Sequence, residues 1–411
     1  MSEIVVQKYG GTSVGDVERI RKVASRIARS VGQGDKVAVT VSAMGRTTDR
    51  LIALAKEVTP RPSRRELDML MATGEQQSIA LLSMALQDIG IRARSFTGQQ
   101  AGFLTDGFFG GARIVEVNPE KMLKAFEEVD VCVIAGFQGV DSTGNINTLG
   151  RGGSDTTAVA VAAALEAREC EIYTDTEGVY TTDPHLIPSA SKIGIIDYDE
   201  MLELASLGAK VLHPRSVWYA RRYNVTVHVR SSFSYNHGTI VKRLDRETHM
   251  KTDRPVTGVA LDKNHARINL IGVPDVPGIA GKIFTALGKA GIVVDMIIQG
   301  VPGAKDSRQQ MAFTVNQDMV EDALDVVRPL LAEYGGSAEA DRHIAKVSIV
   351  GIAIGSTPGV AGKMFEAVAA TGANIEMIAT SEVRISVVIP LEKATEVVAA
   401  VHGAFGLEHN N

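Results

Sequence analysis

Lys8-Tyr9-Gly10-Gly11-Thr12-Ser13 decides how the chain is read. It ends an apolar run, Ile4-Val5-Val6, and leads into a helical pattern that begins near Asp16. A strand that passes through glycines into a helix forms a seat for phosphate. Without Cβ atoms, phosphate oxygens can reach the backbone N–H groups, and the helix directs the positive end of its dipole at the same point. Lys8 adds a full positive charge. On the local pattern alone, an ordinary strand-to-helix turn with a solvated lysine explains these residues equally well, because glycine-rich loops are common. Two better-known loops are excluded. Gly10 and Gly15 have the Walker A spacing, but Asp16 stands where that loop needs a lysine, and Gly150-x-Gly152 has no third glycine at 155.

With 411 residues, 45% of them hydrophobic, the chain can form about two or three domains with substantial cores. A net charge of −5 argues against a nucleic-acid or anionic-membrane surface. No apolar run approaches a membrane span, and the N-terminus lacks a secretory pattern, so a cytosolic protein is expected. Cys132 and Cys170 lie in apolar, strand-like contexts and read as buried free thiols rather than a disulfide or a metal site.

From the first loop onward, apolar helical spacing alternates with short apolar runs. Val17, Ile20, Val23, Ala24, Ile27 and Val31 form one helical face, and residues 36–41 read as a buried strand. Its end carries Ser42 and, further on, Thr47-Thr48-Asp49, hydroxyl residues that either cap a helix or bind an anion. Residues 64–89 read as helix in two pieces broken at Thr73-Gly74, with Glu75 opening the second; Glu75 either suits a helix start or holds a substrate's ammonium group. A strand over 131–135 is followed by the long glycine-rich stretch Gly136 to Thr157. Ser154 and Asp155 there can cap the next helix. Arg151, flanked by glycines, has nothing local to pair with and suits bidentate capture of a carboxylate. After a strand ending at Thr174, the turn-rich segment Asp175 to Pro184, with Tyr180 at its centre, suits a nucleotide base and ribose. Lys210 offers a second cation for phosphate, next to Val211 and the His213-Pro214-Arg215 helix start. Such a β/α series argues for a mostly parallel sheet with helices on both faces.

Residues 246–256 are polar and charged and read as a linker after a domain over 1–245. Behind it the sequence repeats itself. Residues 277–297 align without gaps on 358–378, with ten of 21 positions identical, so one unit has been duplicated. Each copy reads as a βαββαβ module of the ferredoxin-like kind, the first over 257–340 and the second over 341–411. Neither holds a nucleophile or phosphate loop, which suggests regulation or assembly.

Taken together, the motifs at 8–13, 41–49, 73–76, 150–157, 174–184 and 208–215 closely resemble those of the aspartate kinases, members of the amino acid kinase family that carry two ACT modules. The resemblance implies a three-layer α/β kinase fold and transfer of the ATP γ-phosphoryl group, with Mg²⁺, to the side-chain carboxylate of L-aspartate. That reaction gives 4-phospho-L-aspartate, the entry to lysine, threonine and methionine. It implies that Lys8 meets the transferring phosphoryl group, and that Tyr9, Gly10, Gly11, Ser42, Thr174, Asp175, Tyr180, Thr182, Asp183, Lys210 and Val211 surround ATP. Arg151 would take the substrate's α-carboxylate and Glu75 its α-ammonium, beside Thr48, Gly152, Gly153 and Ser154. Asp155 has two roles open, orienting Lys8 or contacting the amine, of which orientation is favoured. No protein metal cage is implied, since nucleotide and water would hold most of the Mg²⁺. For the ACT modules the resemblance implies amino-acid effectors, lysine and threonine, at Asp275, Gly278, Ile279, Ala280 and Gln299, and at Asn374, Ile375, Ser381 and Glu382. Val293 stands where the family commonly has Asn. Relatives of this layout are homo-oligomers or α2β2 assemblies, and Met250 is a candidate internal start for a shorter subunit. A glutamate 5-kinase, an N-acetylglutamate kinase and a non-catalytic sensor are the competing readings.

Overall fold

The computed structural model describes residues 3–208, 211–244, 255–300, 308–352 and 354–408. These fall into two compact units, the first holding residues 3–180, 192–206 and 211–244, the second 181–191, 207–208 and 255–408.

The first unit is built on an eight-stranded sheet. Strand Ile4–Tyr9 lies at its centre, paired in parallel with Lys36–Val41 on one side and Glu169–Thr174 on the other. Val131–Ala135 and Ala93–Phe96 extend it in parallel on the first side, and Val227–Ser231 on the second. Its one antiparallel pairing among the described strands joins Val227–Ser231 to Thr239–Val241. The expectation of a mostly parallel sheet holds: strands Lys36–Val41 and Val131–Ala135 are buried almost throughout, while Gln7, Glu171 and His228 are polar side chains buried in their neighbours. Helix Val17–Gly32 covers one face through Ile20, Val23, Ala24 and Ile27; the Asp16 carboxylate caps it by accepting the Arg19 N–H at 2.8 Å. Because ligands of open α/β sheets gather beyond the carboxyl ends of the strands, Lys8, Ser42, Gly136 and Thr174 all come to one edge.

Two stretches differ from their sequence reading. Residues 64–88 form a single helix, Arg64–Asp88, without a break at Thr73-Gly74. Gly74 serves close approach there, since a Cβ on it would stand 2.9 Å from the Ala43 Cβ. The stretch read as a long loop contains the hairpin Gln138–Val140 and Ile146–Thr148, which joins Phe103–Thr105 and Ile114–Val117 in a small second sheet. Three-residue strands are too short to show a period.

The second unit holds two four-stranded antiparallel sheets in the ferredoxin-like order. One is complete in itself, made of His265–Pro274, Ile297–Gln299, Arg308–Asn316 and Ser337–Asp341. The other combines Ile344–Val350, Met377–Thr380 and Arg384–Pro390 with a strand from before the first module, Gly258–Asp262. The module boundary at 257 therefore needs correction: residues 258–262 close the sheet of the second copy. The duplicated helices, Ile279–Lys289 and Val360–Ala370, both begin after a glycine in the left-handed region, Gly278 and Gly359. Asp295 and Glu376 occupy matching places in the two copies and reach across to Lys346 and Arg267 respectively. Residues 181–191, expected within the first domain, also belong to this unit. Ile187 enters the core of the second copy, and the Thr181 hydroxyl hydrogen-bonds the His402 Nε2 at 2.9 Å.

Substituting Gly74→Ala sets a helix-propensity gain of about 1 kcal/mol against an overpacking cost of about 1–3 kcal/mol. We expect a net loss of roughly 1 kcal/mol, read from the urea midpoint of the intact protein.

Candidate active site

The strand edge of the first unit encloses a cavity of about 540 Å³. Lys8, Gly10, Gly11, Ser42, Thr48, Glu75 and the run from Arg151 to Asp155 all line it, so segments remote in sequence meet as expected. The two strand-end loops interlock through their backbones. Ser42 donates its N–H to the Tyr9 carbonyl at 3.1 Å, and Gly45 donates to the Gly11 carbonyl at 3.0 Å.

At the base of the cavity the Lys8 ammonium lies 2.5 Å from Oδ1 of Asp155, with both side chains nearly buried, 12% and 13% exposed. Asp155 sits in the first turn of helix Gly153–Ala164, whose N-cap is Gly152, so neither Ser154 nor Asp155 takes the capping role expected of it. Gly152 has a φ of 69°, and a Cβ on it would fall 2.0 Å from Cγ of His213, so only glycine fits beneath that imidazole. His213 caps the following helix, Pro214–Tyr223, by accepting the Arg215 N–H on Nδ1. Burial, assisted by Arg215, lowers its pKa, which favours the neutral ring.

Glu75 is 3% exposed. Its Oε1 accepts the Ala43 N–H at 3.0 Å, while Oε2 is buried with no hydrogen-bond partner among the described residues. Burial pushes the carboxyl up to about 7, against the pull of the backbone N–H groups of Ala43 and of Glu75 itself. A buried carboxylate oxygen left without a donor, on a residue that lines the cavity, is a place for a ligand's donor. Arg151 lines the same cavity, is exposed, and makes no ion pair among the described residues.

Tyr9 requires a correction. Its ring is fully buried and stacks on Tyr173, centroids 4.7 Å apart, so only its backbone can serve a nucleotide. Strand alternation explains this, because adjacent Lys8 and Tyr9 leave opposite faces of the sheet. Thr174, Asp175, Tyr180 and Val211 do not line the cavity. Thr182 and Asp183 belong to the second unit, where Thr182 is buried and Asp183 accepts the His185 N–H at 2.9 Å. Lys210 lies outside the described residues. Asp68, Thr148 and Phe137 were missed. Phe137 has a φ of 71° and, like Thr148, lines the cavity. In the second unit, Asp275, Gly278, Gln299, Asn374, Ser381 and Glu382 are exposed, whereas Ile279 packs into a core and can offer only its backbone.

The amino acid kinase family pattern matches residues 3–231, and ACT domain patterns match 267–332 and 347–405. An aspartokinase of Thermus thermophilus is 65% identical over 405 residues, covering 98% of this chain and 99% of that one. The chain belongs to the aspartokinases of the amino acid kinase family. The structure of aspartate kinase from Synechocystis superimposes with a TM-score of 0.84 at 35% identity, with 99% of both chains covered. Escherichia coli aspartokinase III, 26% identical, has been solved with aspartate and ADP (TM-score 0.81, covering 98% of this chain and 99% of that one) and with lysine and aspartate (TM-score 0.76, 98% and 100%).

Removing the Lys8 ammonium leaves Asp155 uncompensated and costs stability, so turnover is compared on the folded fraction. Lys8→Ala is expected to lower kcat by roughly a hundredfold or more, as loss of one preorganised charge does. A variant with near-normal kcat in steady-state kinetics would place the reacting phosphoryl group elsewhere.

Proposed function

We propose that the protein transfers the γ-phosphoryl group of ATP to the side-chain carboxylate of L-aspartate, under feedback by lysine and threonine acting through the ACT modules. The observation that carries the acceptor is Glu75, a buried carboxylate with one unpartnered oxygen in the same cavity as Arg151. Together they provide a clamp for an α-ammonium and an α-carboxylate. An acetylated amine would leave Glu75 without a counter-charge, which disfavours the N-acetylglutamate reading.

The acceptor carboxylate is already ionised near neutral pH and needs no general base. The chemical task is to bring two anions together and neutralise the charge that develops on the transferring group. Lys8, oriented by Asp155, serves that group, while the backbone N–H groups around Gly10, Gly11 and Ser42 hold phosphate oxygens. Of the carboxylates lining the cavity, Asp155 is paired with Lys8, Glu75 holds the Ala43 N–H on one oxygen and is assigned the ammonium on the other, and Asp49 is exposed. That donor set fits an Mg²⁺ ion held by the nucleotide's phosphates and water, where it would supply positive charge. Thr174, Asp175, Tyr180 and Lys210 remain the candidates for the rest of the nucleotide.

An effector must bind the inactive arrangement better than the active one, typically by about 1–3 kcal/mol of coupling. The module turns at Gly278 and Gly359 and the exposed Asn374, Ser381 and Glu382 are the candidate contacts; Val293, 81% exposed, provides no amide in the first copy. A homo-oligomer is the expected assembly. A shorter subunit starting at Met250, outside the described residues, would show as a second band with that N-terminus.

An ADP-release assay should favour aspartate over glutamate and N-acetylglutamate, with lysine, threonine or both inhibiting; preference for another acceptor would overturn the reading. Because Glu75 titrates near 7 and must be ionised to hold an ammonium, the KM for aspartate should rise as pH falls from 8 to 6, by about tenfold. Glu75→Gln should raise that KM at pH 8 and flatten its profile.

A further inference from the structure

We propose that Asp68 is a positioning residue for the acceptor, fixing the separation between Glu75 and Arg151; this rests on the aspartate reading above. Asp68 lies two turns before Glu75 in helix Arg64–Asp88, so both side chains leave the same face. Its side chain is wholly buried, and its partners among the described residues are three uncharged donors. Oδ2 accepts the N–H of Gly110 and the N–H of Thr148, both at 2.9 Å, and Oδ1 accepts the Thr148 hydroxyl at 2.7 Å.

These donors stand on two separate segments of the cavity wall. The Thr148 carbonyl accepts the Ala112 N–H at 2.9 Å, so every polar atom of Thr148 is committed. Next along the chain, Leu149 donates its N–H to the Phe137 carbonyl at 2.8 Å, and its own carbonyl accepts Nη1 of Arg215 at 2.5 Å. Gly150 and Arg151 follow directly. The base of the Arg151 loop is thereby tied to the helix that carries Glu75; Gln138, whose Nε2 donates to the Ala72 carbonyl at 2.9 Å, joins the same helix to the hairpin, and Asp68 is the tie that holds Thr148 itself.

A buried carboxylate is costly unless hydrogen bonds replace its water, and here three do. Alanine removes all three contacts, whereas asparagine can keep them, with its Oδ1 accepting both N–H groups and its NH₂ donating to the Thr148 hydroxyl. With the tie loosened, the ammonium and carboxylate of the acceptor cannot both be met, and misplacement of about 1 Å costs roughly a hundredfold in rate. Acceptor length should be read less strictly, since the clamp sets how far the reacting carboxylate reaches.

The test is steady-state kinetics on the full-length Asp68→Ala, Thr148→Val and Thr148→Ser variants, with the folded fraction measured by circular dichroism. Asp68→Ala and Thr148→Val should raise the KM for aspartate roughly tenfold while the KM for ATP moves less than about twofold. Both should also lower the preference for aspartate over glutamate, and Thr148→Ser, which keeps the hydroxyl, should restore all three values. If Asp68→Ala does not fold, the Thr148 pair decides. Equal shifts in both KM values, or a serine variant as poor as valine, would overturn the proposal. A wild-type protein that phosphorylates another amino acid would overturn the aspartate reading alone, and the KM for that acceptor would then test Asp68.

Discussion

Lys8 and Asp155 form the contact on which the site is built. Lys8 stands near the end of the central strand, with Thr40 and Ile172 opposite it on the two neighbours, so its backbone has little freedom. Asp155 comes from the first turn of a helix that follows a different strand. Their ion pair joins these elements where the sheet opens onto the cavity. Removing one partner from a buried pair leaves the other uncompensated, at a cost of about 3–5 kcal/mol. The lysine is therefore directed by Asp155 before any ligand arrives, which is the preorganisation a developing negative charge requires.

The rest of the cavity divides its charges by task. One cation, Lys8, is nearly buried and held by Asp155, as the proposed reaction asks of the group that meets a changing charge. Arg151 is exposed, on a loop, suited to a group that enters and leaves unchanged. Glu75 is buried on helix Arg64–Asp88, and its raised pKa reflects removal from water. On the proposed function, an arriving ammonium would offset its desolvation, and the carboxylate would discriminate against acceptors that lack one.

Much of this was legible in the sequence because buried parallel strands are continuous apolar runs and their ends carry the glycines. Strands 36–41 and 131–135 were read to the residue, and the duplication placed the first helix of each ACT module. What stayed hidden depends on partners remote in the chain. Nothing near Gly258–Asp262 says that this strand closes a sheet otherwise made of residues after 343. Residues 181–191 follow a nucleotide-type motif but pack by Ile187 into another unit. Tyr9 could have been recognised as core, since strand alternation separates it from Lys8. Asp68 carried a fainter signal, an acid two turns ahead of Glu75 on one helix face, and only the fold shows its three donors.

No helix among the described residues is long and apolar enough to cross a membrane. The central claim concerns one ammonium group, and a crystal structure of the protein with aspartate and a non-hydrolysable ATP analogue tests it most directly. The account predicts Nζ of Lys8 within about 3 Å of a γ-phosphate oxygen while Asp155 still holds it from behind. An amine turned away from the nucleotide, with another cation on the γ-phosphate, would contradict it.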